Sequence, residues 1–470
     1  MNKLHNFEVT ENQIVHSPFH PEYINIGDGM TAKILVDNEF IFAQIIKYSP
    51  FGIELFIETD KKFMEGEEVS LLLNIAGDEI EYKGLVVNQS KESGEKNYLA
   101  IRTFIEKSTQ YDGKDRRQVR RWECNAEFLP TGTAPNPLKY NDHIVFRVED
   151  LSSKGVRLIT SMRNKLIATG QRLDLSISLP TIGSVLCSIL IKNLDTTVRS
   201  GKEYLVIGGE YLSPSNDFYT AVSEYLLNFG KNVSVESLRK QGFPIKNVSK
   251  WLDFSYAKTV EEYEKVLHLR MENFKTNGKL PPTAKPQDCG DKYDSKSQIL
   301  TVKKDGNIIS SARIGLPNNF EDSYYNQFLD LKTIIPDIQD IIELSSLCAN
   351  PEFRGADIFT NMIAHSALVA IKNGRTYIIG GTSGYLVNFY VSAGAKRTGL
   401  KYVNPRFPQL ESEILIMNIK SLSLGYGIGI KRWNQIYPSL VKYMIQKKLI
   451  QPTPLQNMKI NFYEKMGKFI

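Results

Sequence analysis

The first stretch able to do chemistry is Arg116-Arg117-Gln118-Val119-Arg120-Arg121, four arginines within six residues. With no helix cap around them, these guanidiniums form planar forks that can grip phosphate bidentately and guanine at O6 and N7. That is the chemistry of a purine-nucleotide grip. Further along stand Asp150, Ser152 and Gly155, in the order D-x-S-x-x-G, between strand-patterned residues 144–148 and 156–159. A carboxylate and a hydroxyl therefore meet at a tight strand connection, where Gly155 permits a positive φ or a close backbone approach. The alternative for the arginines is a solvated basic linker, the usual state of a charge run. A third stretch, Arg354-Gly355-Ala356, joins a strand pattern over 341–349 to a helix pattern over 357–373. Backbone N–H groups at such a helix start can hold the pyrophosphate of a pantetheine carrier, or form an ordinary strand-to-helix turn.

These residues need elements to place them. Residues 1–24 are a polar, proline-containing arm, and 25–107 carry short alternating strands at even spacing, the pattern of a small barrel or sandwich. Within that region, residues 47–52 repeat Ser49 and Gly52 at the spacing of Ser152 and Gly155, with Lys47 where the aspartate would stand and no arginine run before it. Strand patterns return at 127–129, 173–179, 185–191 and 204–209. Phe218, Val222, Tyr225 and Leu226 then follow a helical spacing. Residues 232–251 are polar and basic with Pro244, a hinge pattern. Beyond them come a helix from Val260, a hairpin turning at Asp305-Gly306, a strand at 341–349, the helix at 357–373 and a strand at 376–380. This order is that of a mixed α/β domain centred on strand, glycine turn and helix. Residues 421–450 pattern as helices with Trp433, Tyr437, Val441 and Met444 on one face, suited to a lid over an acyl groove or to a partner surface.

At 470 residues the chain should form two to four domains, taking ~100 to 200 residues for each. The net charge of +6 is mild and gathers in clusters such as the arginine run, so general nucleic-acid binding is not indicated. No helix-turn-helix pattern appears. Cys124, Cys187, Cys289 and Cys348 are widely spread, which reads as reduced thiols in a cytoplasmic protein with no metal site. His16 and His20 flank Pro18 and do not share a helix face. There is no signal region, and no apolar run approaches ~18 residues, so neither secretion nor a membrane span is expected.

The pair R-x-x-x-R then D-x-S-x-x-G resembles the PilZ domain, a small β-barrel that binds cyclic di-GMP. In that register Arg117 and Arg121 fill the first half, and Arg116 and Arg120 form an offset pair that can also touch phosphate. Asp150, Ser152 and Gly155 fill the second half. The resemblance covers residues 114–230 and implies cyclic di-GMP as a regulatory ligand. Residues 25–107 then read as a degenerate PilZ-like barrel, a duplicate that has lost the ligand and serves as an interface.

Residues 256–420 resemble the GNAT acyltransferase fold, in particular the branch of N-acyl amino acid synthases and acyl-homoserine-lactone synthases. The residues that carry this are Arg270 with Phe274, Asp291 with Asp294, Arg313 at the end of the hairpin, and Glu343-Leu344-Ser345. The resemblance implies an acyl thioester, on acyl carrier protein or CoA, and an amine acceptor such as an amino acid. It makes Glu343 the candidate base through water, against a salt-bridged structural glutamate, and Tyr390 the candidate acid, against simple packing. Arg270, Asp291, Asp294 and Arg313 either orient the amine or tie the N-terminal lobe by ion pairs. Two departures stand out: Ser346 where the family often has arginine, and a carrier loop reduced to Arg354, Gly355 and Ala356. Both count against lactone chemistry and simple acyl-CoA use.

The chain thus reads as a multidomain α+β protein of two small antiparallel β-barrels followed by a mixed α/β GNAT-like domain. The boundaries are an arm at 1–24, a degenerate barrel at 25–107, a PilZ domain at 114–230, a linker at 232–255 and the GNAT-like domain with C-terminal helices at 256–470. Together the resemblances imply a cyclic di-GMP-responsive N-acyltransferase. The alternative is a non-catalytic effector whose third domain docks a partner protein.

Overall fold

A computed structural model describes residues 30–75, 77–91, 96–103, 119–137, 139, 141–164, 167–245, 248–355 and 357–467. Arg116, Arg117, Ala356, the N-terminal arm and the segment joining the barrels lie outside these residues. The described chain divides into two compact units, Met1–Val233 with Leu238–Pro244, and Ser234–Ser237 with Ile245–Ile470.

Burial alternates along β1 (Met30–Val36) because its apolar residues fall on one side of the pleat. With β2 (Glu39–Ser49), β3 (Gly52–Glu58), β4 (Glu68–Ile75), β5 (Asp78–Lys91) and β6 (Lys96–Thr103) it closes a barrel in the order β1-β2-β3-β6-β5-β4. Ile34, Tyr48, Leu55, Leu71 and Leu99 fill it. Closure leaves no edge strand open to pairing.

The second barrel is built from β7 (Trp122–Glu123), β8 (Thr131–Pro135), β9 (His143–Leu151), β10 (Gly155–Ser161), β11 (Arg172–Leu179), β12 (Gly183–Arg199) and β13 (Lys202–Tyr211). Its order is β10-β13-β12-β11-β8-β9-β7, and the β9–β10 pairing closes a ring of six strands. Strand for strand, β8 to β13 repeat the neighbour order of β1 to β6, so the duplication expected from residues 47–52 extends to the whole topology. Helix α1 (Asn216–Phe229), capped by Ser215, buries Phe218, Val222, Tyr225 and Leu226 as its spacing requires. Residues 127–129 are a turn and not a strand. Asn125 Oδ1 accepts the Glu127 N–H at 2.9 Å, and Phe128 stacks on Phe229 at 4.4 Å instead of joining the sheet. The barrels are bound within one unit, for the Tyr48 hydroxyl donates to Ile167 O at 3.3 Å and Ala168 belongs to the first barrel's core.

The stretch with the hinge pattern, 232–251, holds the boundary between the two units and carries regular structure among its described residues. It contains α2 (Val235–Lys240), and Phe243, 3% exposed, meets the rings of Trp122 and Tyr219 edge-on. The expected linker, 232–255, ends in β14 (Asp253–Tyr256), which pairs with β15 (Ser297–Lys304), so the sheet of the second unit begins before residue 256.

That sheet runs β14-β15-β16-β17-β18-β20-β19. Helix α3 (Val260–Thr276) starts at Thr259, whose hydroxyl accepts from Glu262 N. β15 turns into β16 (Asn307–Gly315) through Asp305 and Gly306, both at positive φ as a two-residue hairpin demands. Then come β17 (Ile341–Ala349), α4 (Ile358–Lys372), β18 (Tyr377–Thr382), α5 (Tyr385–Ser392), β19 (Lys396–Val403) and β20 (Glu411–Asn418). β17 and β18 are parallel, joined by the crossover helix α4, and the other neighbours are antiparallel. Helices α6 (Ile419–Ser423), α7 (Ile430–Ile436), α8 (Pro438–Gln446) and α9 (Pro454–Met466) follow. Among the described residues, no helix is long and apolar enough to cross a membrane, and no group of three or more His, Cys, Asp or Glu is arranged to hold a metal.

Candidate functional site

The D-x-S-x-x-G residues form the connection from β9 to β10. The Ser152 hydroxyl donates to Gly155 O at 2.9 Å and accepts from Gly155 N at 2.9 Å and Lys154 N at 3.3 Å, which closes the turn. Gly155 is there for close approach, not for positive φ: a Cβ on it would run into the carbonyl oxygen of Gly209 across the β10–β13 ladder. Since that obstacle is backbone, Gly155→Ala is expected to cost ~1 to 3 kcal/mol through overpacking, seen as a lowered melting temperature.

The arginine run enters the same place. β7 pairs Trp122 with Leu151 and Glu123 with Asp150, which carries Arg121 to the turn. Arg121 Nη1 meets Asp150 Oδ1 at 3.3 Å, and the exposed Arg120 lies over the Trp122 ring at 5.6 Å. Around them opens a cavity of about 300 Å³ lined by Val119, Arg121, the Ser152–Gly155 turn and, from the adjoining strands, Lys192, Asn193, Gly208, Gly209 and Glu210, whose carboxylate pairs with Lys192 at 3.3 Å. Lys192 is the extra residue of a bulge in β12, where the register with β13 shifts between Ile191 and Asn193. A bulge re-aims side chains, and the Gly208-Gly209 pair makes room for them: a Cβ on Gly208 would run into the Asn193 amide and one on Gly209 into the buried Ile189. Lys154, Lys192 and Asn193 were not marked by the sequence motif. The glycine pair inside a strand was the available signal.

The first barrel has the same turn with different chemistry. The Ser49 hydroxyl donates to Gly52 O at 3.4 Å and accepts from Phe51 N at 3.3 Å. Lys47, in the aspartate's place, pairs with buried Glu54 at 3.5 Å. The turn closes the β2–β3 connection as its counterpart closes β9–β10, with a cation where the second barrel has a carboxylate.

In the second unit the structure brings Arg270, Asp291, Asp294 and Arg313 together. Arg270 Nη1 donates to Asp294 Oδ2 at 2.8 Å, while Arg313 Nη1 donates to Asp291 Oδ1 at 2.5 Å and its Nε to Ser345 Oγ at 2.8 Å. Both arginines are at most 1% exposed. Burial pushes the Asp294 carboxyl up, but the charges of Arg270 and Arg313 and their hydrogen bonds hold it below its ordinary value.

Beside this cluster β17 and β18 separate. Their ladder runs from the Ile341–Tyr377 pair to Leu344–Gly380 and ends there. The Tyr325 hydroxyl stands at the fork, donating to Leu344 O at 2.8 Å and accepting from Gly381 N at 2.8 Å, in place of a direct bond between strands. Just beyond, Ser346 is a bulge residue at φ 48°, outside the β16–β17 register. A cleft of about 160 Å³ opens here, lined by Leu344, Ser345, Ser346, Phe359, Gly381, Thr382, Tyr390 and Met417 among others.

Glu343 does not line this cleft. Its carboxylate accepts from Ser323 Oγ at 2.5 Å, Tyr324 N at 2.9 Å and Tyr325 N at 3.2 Å, so it holds the segment that carries the Tyr325 wedge. Burial, partly offset by these hydrogen bonds, raises its pKa. Tyr390 does line the cleft, and burial raises its phenol well above the ordinary value. Arg354 turns back to Ala349 O at 3.3 Å, and Gly355 has φ 75°. The first turn of α4 is preceded by Asp357, whose carboxylate accepts from Ser249 N at 3.0 Å. That carboxylate occupies the positive end of the helix, where an anion would be favoured. Trp433, Tyr437, Val441 and Met444 are buried and none lines the cleft, so that face is core and not a lid.

No protein-family model matches the chain, and no curated protein sequence matches it. Among solved structures, the complex of MrkH from K. pneumonia with c-di-GMP is 16% identical and matches over 42% of this chain and 86% of its own, with a TM-score of 0.22. YcgR from Escherichia coli, in complex with c-di-GMP, is 11% identical over 40% of this chain and 79% of its own, TM-score 0.18. FeeM, an N-acyl amino acid synthase from uncultured soil microbes, is 10% identical over 41% of this chain and 98% of its own, TM-score 0.30. The solved structures similar to this chain thus include two proteins in complex with c-di-GMP and an N-acyl amino acid synthase. The fold itself stands on the strand order and pairing given above.

Proposed function

We propose that the second barrel is a cyclic di-GMP receptor and that the second unit is an N-acyltransferase under its control. The observation that carries this reading is the convergence of Arg121, Lys154 and Lys192, with Glu210 the one lining carboxylate among the described residues, on one cavity at the β9–β10 turn. Three cations against one lining carboxylate suit phosphate, and the arginine fork suits guanine. Arg116, Arg117 and Arg120 complete the grip from the preceding segment, with Asp150 steering Arg121. Ser152 and Gly155 act through the turn they shape.

In the second unit, the fork between parallel strands supports acyl transfer. An acyl thioester, delivered by acyl carrier protein or CoA near Arg354, Gly355 and Ala356, lies along the opened edge of β17. The amine nitrogen attacks the thioester carbon, the carbon–sulfur bond breaks, and the departing thiolate takes the proton of Tyr390. The amine's proton passes to water, and water returns a proton to the Tyr390 phenolate, so the enzyme is restored. Glu343 serves as a positioning residue through Tyr324 and Tyr325. Arg270, Asp291, Asp294 and Arg313 hold the acceptor side of the cleft in place. Coupling between nucleotide and transferase is expected at ~1 to 3 kcal/mol, the usual size for allostery.

The test is calorimetric titration of the full chain with cyclic di-GMP, then thiol release from acyl carrier protein and CoA thioesters with amino acid acceptors, with and without the nucleotide. Binding together with nucleotide-dependent thiol release is the expected result. Binding without turnover on any carrier leaves a non-catalytic effector, and failure to bind removes the receptor.

A further inference from the structure

Among the described residues, Lys279 is the one charged side chain lining the second unit's cleft. Arg270 and Arg313 nearby have their charges met by Asp291 and Asp294, whereas the half-buried Lys279 ammonium faces two rings, Phe274 at 5.8 Å and Phe407 at 6.0 Å. Among the described residues no carboxylate pairs with it. Ring faces stabilise a desolvated ammonium only partly, and burial lowers its pKa. A lysine that merely needed water would reach past the rings with its long stem. Here it remains in the wall of a cleft whose other described side chains are uncharged: aromatic and aliphatic groups, hydroxyls, the Met417 thioether and the Asn404 amide.

We infer that Lys279 anchors the carboxylate of an amphipathic ligand whose apolar body lies in the cleft against Leu344, Phe359 and Met417. This rests on the acyl-transfer reading of the cleft and narrows its ligand to a monocarboxylate with an apolar tail. Two sources share that chemistry: an acylated amino acid and a free fatty acid.

Four probes separate the possibilities: N-dodecanoylglycine and its carboxamide, and dodecanoate and dodecanamide, each titrated calorimetrically into the full chain. The acid should bind at least tenfold more tightly than its matched amide to the unaltered protein. Lys279→Met should bring that ratio close to one, and Lys279→Arg should restore most of it. Preference confined to the glycine pair identifies the acylated amino acid, and the same preference in the dodecanoate pair identifies the fatty acid. Equal binding of acid and amide, an unchanged preference in Lys279→Met, or no binding of any probe overturns the anchor. A retained acid preference in a protein that releases no thiol would leave the anchor standing and remove the transferase.

Discussion

Asp294→Ala is expected to destabilise the second unit by ~3 to 5 kcal/mol, the range for breaking a buried ion pair from one side. The substitution strands the Arg270 guanidinium, which is 0% exposed, and takes one of two acidic partners from Arg313. It also removes the acceptor of the Tyr263 hydroxyl at 2.8 Å. Against a total stability of roughly 5 to 15 kcal/mol for a domain, this is a large fraction. Thermal unfolding of the full chain should show one transition displaced downward, while cyclic di-GMP binding is retained. A change of less than ~1 kcal/mol would mean that water reaches the cluster and solvates the stranded charge. The pH dependence follows in sign. The folded carboxyl lies below its unfolded value of about 3.9, so its contribution is present above that value and is lost as pH falls through the folded pKa. Acid should therefore weaken the second unit in the unaltered protein, and Asp294→Ala should blunt that sensitivity.

Arg121→Ala is expected to weaken cyclic di-GMP binding by ~1 to 3 kcal/mol, the value of one good bidentate guanine contact. Arg121 is the described arginine that lines the cavity, and Asp150 orients it before any ligand arrives. Arg121→Lys should not restore affinity, since an ammonium lacks the planar fork. Asp150→Ala should show a smaller loss, because the guanidinium remains but is free to wander. Calorimetry with the full chain reads all three. Unchanged affinity in Arg121→Ala would place the nucleotide elsewhere.

Much of this architecture was legible in the residues. Alternating strand patterns, the Asp305-Gly306 hairpin and the spacing of α1 reflect local periods of the backbone, and the elements form where those periods indicate. Residues 127–129 were misread because an Asn125 turn and a ring stack outweigh a short apolar run. The hinge pattern at 232–251 marks the boundary between the units but not the helix within it. Its polarity conceals Val235, Leu238 and Phe243, all buried.

By itself the sequence determined which groups could do chemistry: the arginine run, the D-x-S-x-x-G turn, the paired arginines and aspartates, and Tyr390. Type and spacing along the chain suffice for these, because each motif is short and lies on one element or one connection. Only the tertiary structure decided what those groups can reach. It brought Lys192 and Gly209 to the Arg121 cavity from strands distant in sequence, committed Glu343 to a loop that wedges a strand fork, and left Lys279 facing rings with no counter-charge among the described residues. The reason is physical: hydrogen bonding and burial depend on neighbours in space, and strand order in a closed or splayed sheet sets those neighbours across long sequence separations.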